Sequence, residues 1–165
     1  MSAISPGRPD VGDAMPDIAM ETADGGTVKP SDFAGQKLVM FFYPKDDTPG
    51  CTTENKDFSA LKAEFEAAGA ALLGISKDPP AKHAKFAAKH DLSAQLASDA
   101  PADAGSDGIA EALGIWVGKN MYGRKYLGME RTTFLVDADG AIARVWRKVK
   151  VEGHAQDVLE AVRAL

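Results

Sequence analysis

"FFYPKDDTPGCTTE", residues 41–54, joins an apolar run to a proline-marked helix start and carries the chain's single cysteine, Cys51. The apolar run begins earlier, as "LVMFFY" (38–43), and is nearly continuous, the pattern of a central strand covered on both faces. Past the turn, Thr48 is a natural N-cap, Pro49 suits the first helical position and Cys51 falls at the third. This spacing matches a capping box, so it predicts the Thr48 hydroxyl close to the Cys51 sulfur. Phe58, Leu61, Phe65 and Ala68 then step by three and four and share one face. The predicted helix runs from 49 to 68, with Gly69 as its stop.

Outward from this unit the chain alternates. "AALLGIS" (70–76) reads as a second buried strand, "PPAKHAKFAAKH" (79–90) as a helix and "QLASD" (95–99) as a strand. "DGIAEALGIW" (107–116) contains a short helix, 131–147 a hairpin turning at Asp139-Gly140, and 154–165 a closing amphipathic helix. Residues 116–131 carry Lys119, Arg124, Lys125 and Arg131 against Glu130, a local net of +3, and read as a solvated loop. Residues 1–10, with Pro6, Gly7 and Pro9, read as a flexible N-terminal arm before one domain over 11–165. Strands alternating with helices, then a hairpin, predict an α/β thioredoxin-like fold, a central mixed β-sheet flanked by helices.

Composition narrows the function. The 165 residues suffice for one domain with a core, and 45% hydrophobic with 26% charged residues is ordinary for a globular protein. A net charge of -5 and a pI near 5.2 disfavour nucleic acid or an anionic membrane as partner, since both need a basic surface. No apolar run approaches the roughly 20 residues of a membrane span, and the first residues lack the apolar stretch of a signal peptide. One cysteine forms no internal disulfide, so the expected compartment is the cytoplasm. His83, His90 and His154 come without a matching set of ligands, so no metal is expected. His83 and His90 sit among lysines and are expected to be exposed. "DADG" (137–140) has Lys148 where a calcium loop needs glutamate, and no glycine-rich phosphate loop is present, so no cofactor is expected.

The thiol's position carries chemistry. The first turn of a helix has unpaired amides and the positive end of the dipole, and both favour an anion. An ordinary thiol is roughly 3% thiolate at pH 7. Complete ionisation therefore gains about thirtyfold, or about 2 kcal/mol. A fast thiol enzyme needs further groups that bind its transition state. Asp46 and Asp47, aimed at the sulfur, would oppose the thiolate. Both are expected to face solvent, with a cation from elsewhere supplying the positive field. Lys45 is expected to be exposed, and Glu54 shares the helix face of Cys51.

The stretch resembles the active-site signature of peroxiredoxins, specifically the peroxiredoxin Q or bacterioferritin-comigratory-protein type. Its proline, threonine and cysteine fall at Pro44, Thr48 and Cys51. The resemblance continues through "LLGISKD", "WVGKNMYGRKYLGMERTTFLVDADG" and the closing helix. It implies that Cys51 attacks a hydroperoxide and becomes a sulfenic acid. It also implies that Thr48 hydrogen-bonds the peroxide, Pro44 shapes the pocket, and Arg131 is the missing cation. Glu54 then positions Arg131, and the amides of Gly50 and Cys51 complete the site. The implied substrates are hydrogen peroxide and small organic hydroperoxides, in antioxidant defence. The implied assembly is a monomer or weak homodimer.

Two departures matter. The resolving cysteine that many members place five residues on is Lys56 here, and another position used for it is Ala110. The reading is therefore a one-cysteine mechanism with an external thiol reductant: thioredoxin, glutaredoxin or a low-molecular-weight thiol. A Cys51–Cys51 bridge between chains would require local unwinding. The alternative is a redox-sensing thioredoxin-like binding module, whose slow oxidation would ignore Arg131→Ala or Thr48→Val. A cysteine hydrolase needs a histidine base beside the sulfur, and no histidine lies in such a motif.

Overall fold

The computed structural model describes residues 8–99 and 108–165. The elements are β1 (Met20–Thr22), β2 (Thr27–Val28), a 3-10 turn (Pro30–Phe33), β3 (Lys37–Phe42), α1 (Pro49–Ala60), α2 (Lys62–Ala67) and β4 (Ala70–Ser76). They continue with α3 (Pro80–His90), β5 (Gln95–Ser98), α4 (Ile109–Ala112), β6 (Trp116–Met121), β7 (Arg124–Met129), β8 (Thr132–Val136), β9 (Ile142–Trp146) and α5 (His154–Ala164).

Seven strands form one mixed sheet in the order β2-β1-β5-β4-β3-β8-β9. The apolar run at 38–43 supplies β3, which pairs parallel to β4 and antiparallel to β8. Strand alternation splits its side chains between two cores. Leu38, Met40 and Phe42 pack on one face with Leu73, Ile75, Ile109, Leu113 and Phe134. Val39, Phe41 and Tyr43 pack on the other with Phe58, Phe65, Phe86, Leu96, Val158 and Leu159, and Cys51 lies in this second core. The sheet is thus covered on both faces, as the unbroken apolar run requires.

A close approach fixes α1 against this face. Phe41 stacks on Phe58 with centroids 4.3 Å apart and planes 15° apart. The ring lies across Gly74, where an added Cβ would meet Phe41 at 2.7 Å. Only glycine in β4 leaves room for the stack that seats the helix carrying Cys51.

Two expectations need correction, and one falls partly outside the described residues. The helix expected over 49–68 is two helices, because the backbone turns at Leu61 (φ -98, ψ 5). Its face survives the break: Phe58 and Phe65 are fully buried, and Leu61 and Ala68 pack beside them. Residues 116–131 are not a loop. Residues 116–129 form a β-hairpin, β6 with β7, turning at Tyr122-Gly123, both with positive φ. Among the described residues this hairpin pairs only with itself, and Arg124–Leu127 are exposed, so it shows little of the apolar alternation that reveals a strand. The short strands β1 and β2 extend the sheet through β5 and are too brief for a periodic signal. The expected N-terminal arm falls mostly outside the described residues.

Candidate active site

Three stretches of chain meet at Cys51. The first is the turn after β3, the second is the first two turns of α1, and the third is the link of two residues, Glu130 and Arg131, between β7 and β8. Thr48 occupies the N-cap position in extended conformation (φ -96, ψ 155), Pro49 opens the helix, and Cys51 sits in the first turn, 1% exposed. Thr48 does not bond to the first-turn amides. Its hydroxyl donates instead to the Lys45 carbonyl at 2.8 Å, so the capping box expected here is absent. The turn's own carbonyl competes successfully for the hydroxyl, a common fate of threonine at turns.

Arg131 reaches the site from the residue just before β8, the strand that pairs with β3. Its backbone carbonyl accepts from the Val149 N–H at 3.0 Å. One guanidinium nitrogen, Nη2, lies 3.4 Å from the Cys51 sulfur. The other, Nη1, donates to Glu54 Oε1 at 2.6 Å. The guanidinium lies against Gly50, where an added Cβ would stand 3.3 Å from Nη2, a tight contact. Cys51, Glu54, Arg131 and Gly50, named before the structure, thus gather at one place, and Thr48 stands at the N-cap of the helix that carries three of them. Pro44 lies half-buried in the turn that leads to Thr48.

The electrostatics follow from burial. Glu54 is 1% exposed, and burial, only partly offset by Arg131, pushes its carboxyl up to about 7. Its second oxygen has no partner among the described residues. Burial alone would lower Arg131, but the charges of Glu54 and Cys51 outweigh it and hold the guanidinium above its ordinary value. Lys119, on β6, is lowered by burial and then by repulsion from Arg131, and it donates to the Met129 carbonyl at 2.7 Å. His154 bonds Thr133 at 2.8 Å, and burial followed by repulsion from Arg131, against the pull of Asp157, drops it to about 4.

Two sequence expectations fail here. Asp46 does not face solvent: it is 2% exposed and turned into the protein, away from the bulk. His83 is not exposed either, because it is wholly buried against Asp46. Each gives the other a hydrogen-bond partner in the interior, which no local pattern announces. Asp47 and Lys45 do face outward, and Asp47 pairs with Lys89 and half-buried His90. The sequence reading also missed Asn55, fully buried, whose amide donates to the Cys51 carbonyl at 2.9 Å. Its spacing four residues after Cys51 was the available signal. Ala110 is buried in the core on the opposite face of the sheet from Cys51, and Lys56 is exposed on α1. Among the described residues no group of three histidine, cysteine or acidic side chains is placed to hold a metal.

The chain is similar to known proteins over nearly its whole length. The family model described as AhpC/TSA matches residues 11–145. Peroxiredoxin Bcp of Xanthomonas campestris is 45% identical over 148 residues, covering 90% of this chain and 89% of that protein. Peroxiredoxin Bcp of Bacillus subtilis is 40% identical over 154 residues, covering 93% and 95%. Among solved structures, the bacterioferritin comigratory protein of Xanthomonas campestris, described for its alkyl peroxide reduction activity, superposes with a TM-score of 0.84 at 42% identity. It covers 94% of this chain and 98% of that one. A cysteine-to-serine variant of Xylella fastidiosa PrxQ gives 0.86 at 35% identity, covering 95% and 97%.

Proposed function

The chain belongs to the AhpC/TSA family, among peroxiredoxins of the Bcp type, and from that premise we propose how its own residues reduce a peroxide. It is a thiol-dependent peroxidase with the family's thioredoxin-like fold and antioxidant role. The substrates are hydrogen peroxide and small organic hydroperoxides. An alkyl peroxide is what the Xanthomonas campestris relative is described as reducing.

Cys51 is the nucleophile. Its thiolate forms a bond to the terminal peroxide oxygen while the O–O bond breaks. The peroxide's own proton passes to the departing oxygen, which leaves as water or an alcohol. Arg131 stabilises both the thiolate and the charge spreading onto the oxygens, and acts before and during the transfer without reorganising. Glu54 holds the guanidinium in place through its second nitrogen. Thr48 hydrogen-bonds the peroxide, the Gly50 and Cys51 amides face the same oxygens, and Pro44 walls the pocket. The single observation that carries this reading is the Arg131 guanidinium shared between Cys51 at 3.4 Å and Glu54 at 2.6 Å.

The sulfenic acid is then reduced from outside. Serine variants at two different cysteine positions have been solved for the Xanthomonas campestris peroxiredoxin Q, whereas this chain has one cysteine. An external thiol condenses with the sulfenic acid, releasing water and leaving a mixed disulfide, and a second thiol frees Cys51. Thioredoxin, glutaredoxin or a low-molecular-weight thiol fills this role. One chain supplies every residue of the site, which fits a monomer or a weak homodimer. No described helix is long and apolar enough to cross a membrane, and we place the protein in the cytoplasm, where a lone thiol is kept reduced.

The test is stopped-flow tryptophan fluorescence of Cys51 oxidation by hydrogen peroxide, with the sulfenic acid identified by mass spectrometry. The expected second-order rate exceeds that of a free thiolate by orders of magnitude and collapses in Thr48→Val and Arg131→Ala. A rate equal to that of a small-molecule thiolate, indifferent to both substitutions, would transfer the protein to redox sensing.

A further inference from the structure

The turn between β3 and α1 is fastened from beneath by side chains that have no part in the chemistry above. Asp46 and His83 are buried, and His83 Nδ1 lies 2.6 Å from Asp46 Oδ2. Tyr43 donates its hydroxyl to the other carboxylate oxygen, also at 2.6 Å. Burial, with the charges of Asp46 and Asp78, holds Tyr43 far above its ordinary value, so it remains a donor. The Asp46 backbone N–H donates to Asp78 Oδ2 at 2.7 Å, and Ser76 donates to that same oxygen at 2.6 Å. The far ring nitrogen of His83 faces the Ala97 carbonyl at 3.0 Å. A carbonyl only accepts, so that nitrogen carries a proton and the ring's orientation is set by β5. One residue on, Asp47 takes a left-handed φ of 61 and accepts from Lys89 and His90 at 2.8 Å each. Residues 46 and 47 are therefore tied to α3 and to the end of β4, and the turn's shape is imposed by elements remote in sequence.

The tie fixes the direction of one peptide carbonyl. Lys45 contributes the carbonyl that receives the Thr48 hydroxyl proton, and the same peptide unit carries the Asp46 N–H that is held by Asp78. With its proton committed, Thr48 presents only lone pairs to a peroxide. A hydroperoxide O–H then meets an acceptor, and its distal oxygen is turned toward the sulfur.

We propose that Asp46, clamped by His83 and Tyr43, is a positioning residue for peroxide reduction, because it fixes the Lys45 carbonyl that makes the Thr48 hydroxyl an acceptor of the peroxide proton. This rests on the peroxidase reading, and the experiment separates the two.

Cys51 oxidation by hydrogen peroxide is measured beside Cys51 alkylation by iodoacetamide, which uses the same sulfur without Thr48. In Asp46→Asn the peroxide rate is expected to fall roughly 10- to 100-fold, the loss that slight misplacement of a reacting pair causes, while alkylation is unchanged. In the Thr48→Val background Asp46→Asn is expected to cause no further loss, because it acts through Thr48. Tyr43→Phe deletes one hydroxyl, keeps the ring, and carries the same double-mutant cycle should Asp46→Asn not fold; its expected loss is smaller and equally absent with Thr48→Val. Equal losses in both reactions, or losses that simply add to that of Thr48→Val, would overturn the proposal and leave the cluster a stability element. Variants as fast as the wild type with peroxide would overturn it too. A wild-type rate no better than a free thiolate would instead sink the peroxidase reading itself.

Discussion

Glu54 gives the residue scale its clearest consequence. Its carboxyl is held up to about 7 by burial despite a 2.6 Å bond to Arg131. Below that pH the carboxyl is neutral and grips the guanidinium with a plain hydrogen bond; above it, an ion pair takes over. Peroxide reduction should therefore strengthen through neutrality by more than the thiol's own ionisation explains. The ratio of peroxide oxidation to iodoacetamide alkylation, followed from pH 5.5 to 8.5, is expected to rise with a midpoint near 7. Glu54→Gln is expected to keep the low-pH ratio throughout. A ratio that rises identically in both proteins would show that Glu54 does not govern Arg131. The helix start that holds Thr48 and Cys51 was legible because its spacing is local, while Pro44 was named only through the resemblance to a family. Asp46 and His83 were misread because their burial depends on each other across 37 positions.

At the scale of elements, the site depends on how α1 is seated. The helix starts where the sequence says, and its apolar positions mark the buried face, yet its height above the sheet is set by the Phe41–Phe58 stack over Gly74. Gly74→Ala places a methyl 2.7 Å from Phe41 and 2.9 Å from Leu96. Both are packed side chains with no free direction to move, so the substitution is expected to cost about 1–3 kcal/mol, the usual penalty of overpacking. Urea denaturation measures it, and an unchanged midpoint would mean that the stack yields without cost. The break at Leu61 belongs to this scale as well: a periodic apolar face continues across it, so periodicity alone reports one helix where the backbone makes two.

For the whole molecule, two buried groups set opposing dependences of stability on pH. Glu54 titrates at about 7 folded against an ordinary 4.5, so between those values the folded chain keeps a proton that the unfolded chain has released, and stability falls as pH rises. His154 titrates at about 4 folded against 6.5, so between those values the unfolded chain binds a proton that the folded chain refuses, and stability falls as pH drops. From pH 4.5 to 6.5 each state holds one proton between the two groups, and their slopes cancel. In His154→Gln the Glu54 slope stands alone, and stability relative to wild type is expected to decline with rising pH by up to about 1.4 kcal/mol per unit. Glu54→Gln should show the opposite slope. Denaturation midpoints at three pH values decide it, and parallel profiles for all three proteins would refute the opposition.

By itself the sequence determined the helix start at Cys51, the strand-to-helix unit, the α/β class and the single cysteine, because each is written in neighbouring residues or in the apolar period. Arg131 was placed by resemblance to a family, since nothing in its local pattern points to a partner 80 residues away. Only the tertiary structure decided that residues 116–129 form a hairpin, that α1 is seated over a glycine, and that Asp46 and His83 turn inward as a pair. The hairpin escaped notice because its outer strand is exposed and lacks apolar alternation, and the other two share one physical reason. A polar or aromatic side chain is buried when its partner arrives from another element, and that arrival is a property of the assembled sheet and helices, which no window of sequence contains.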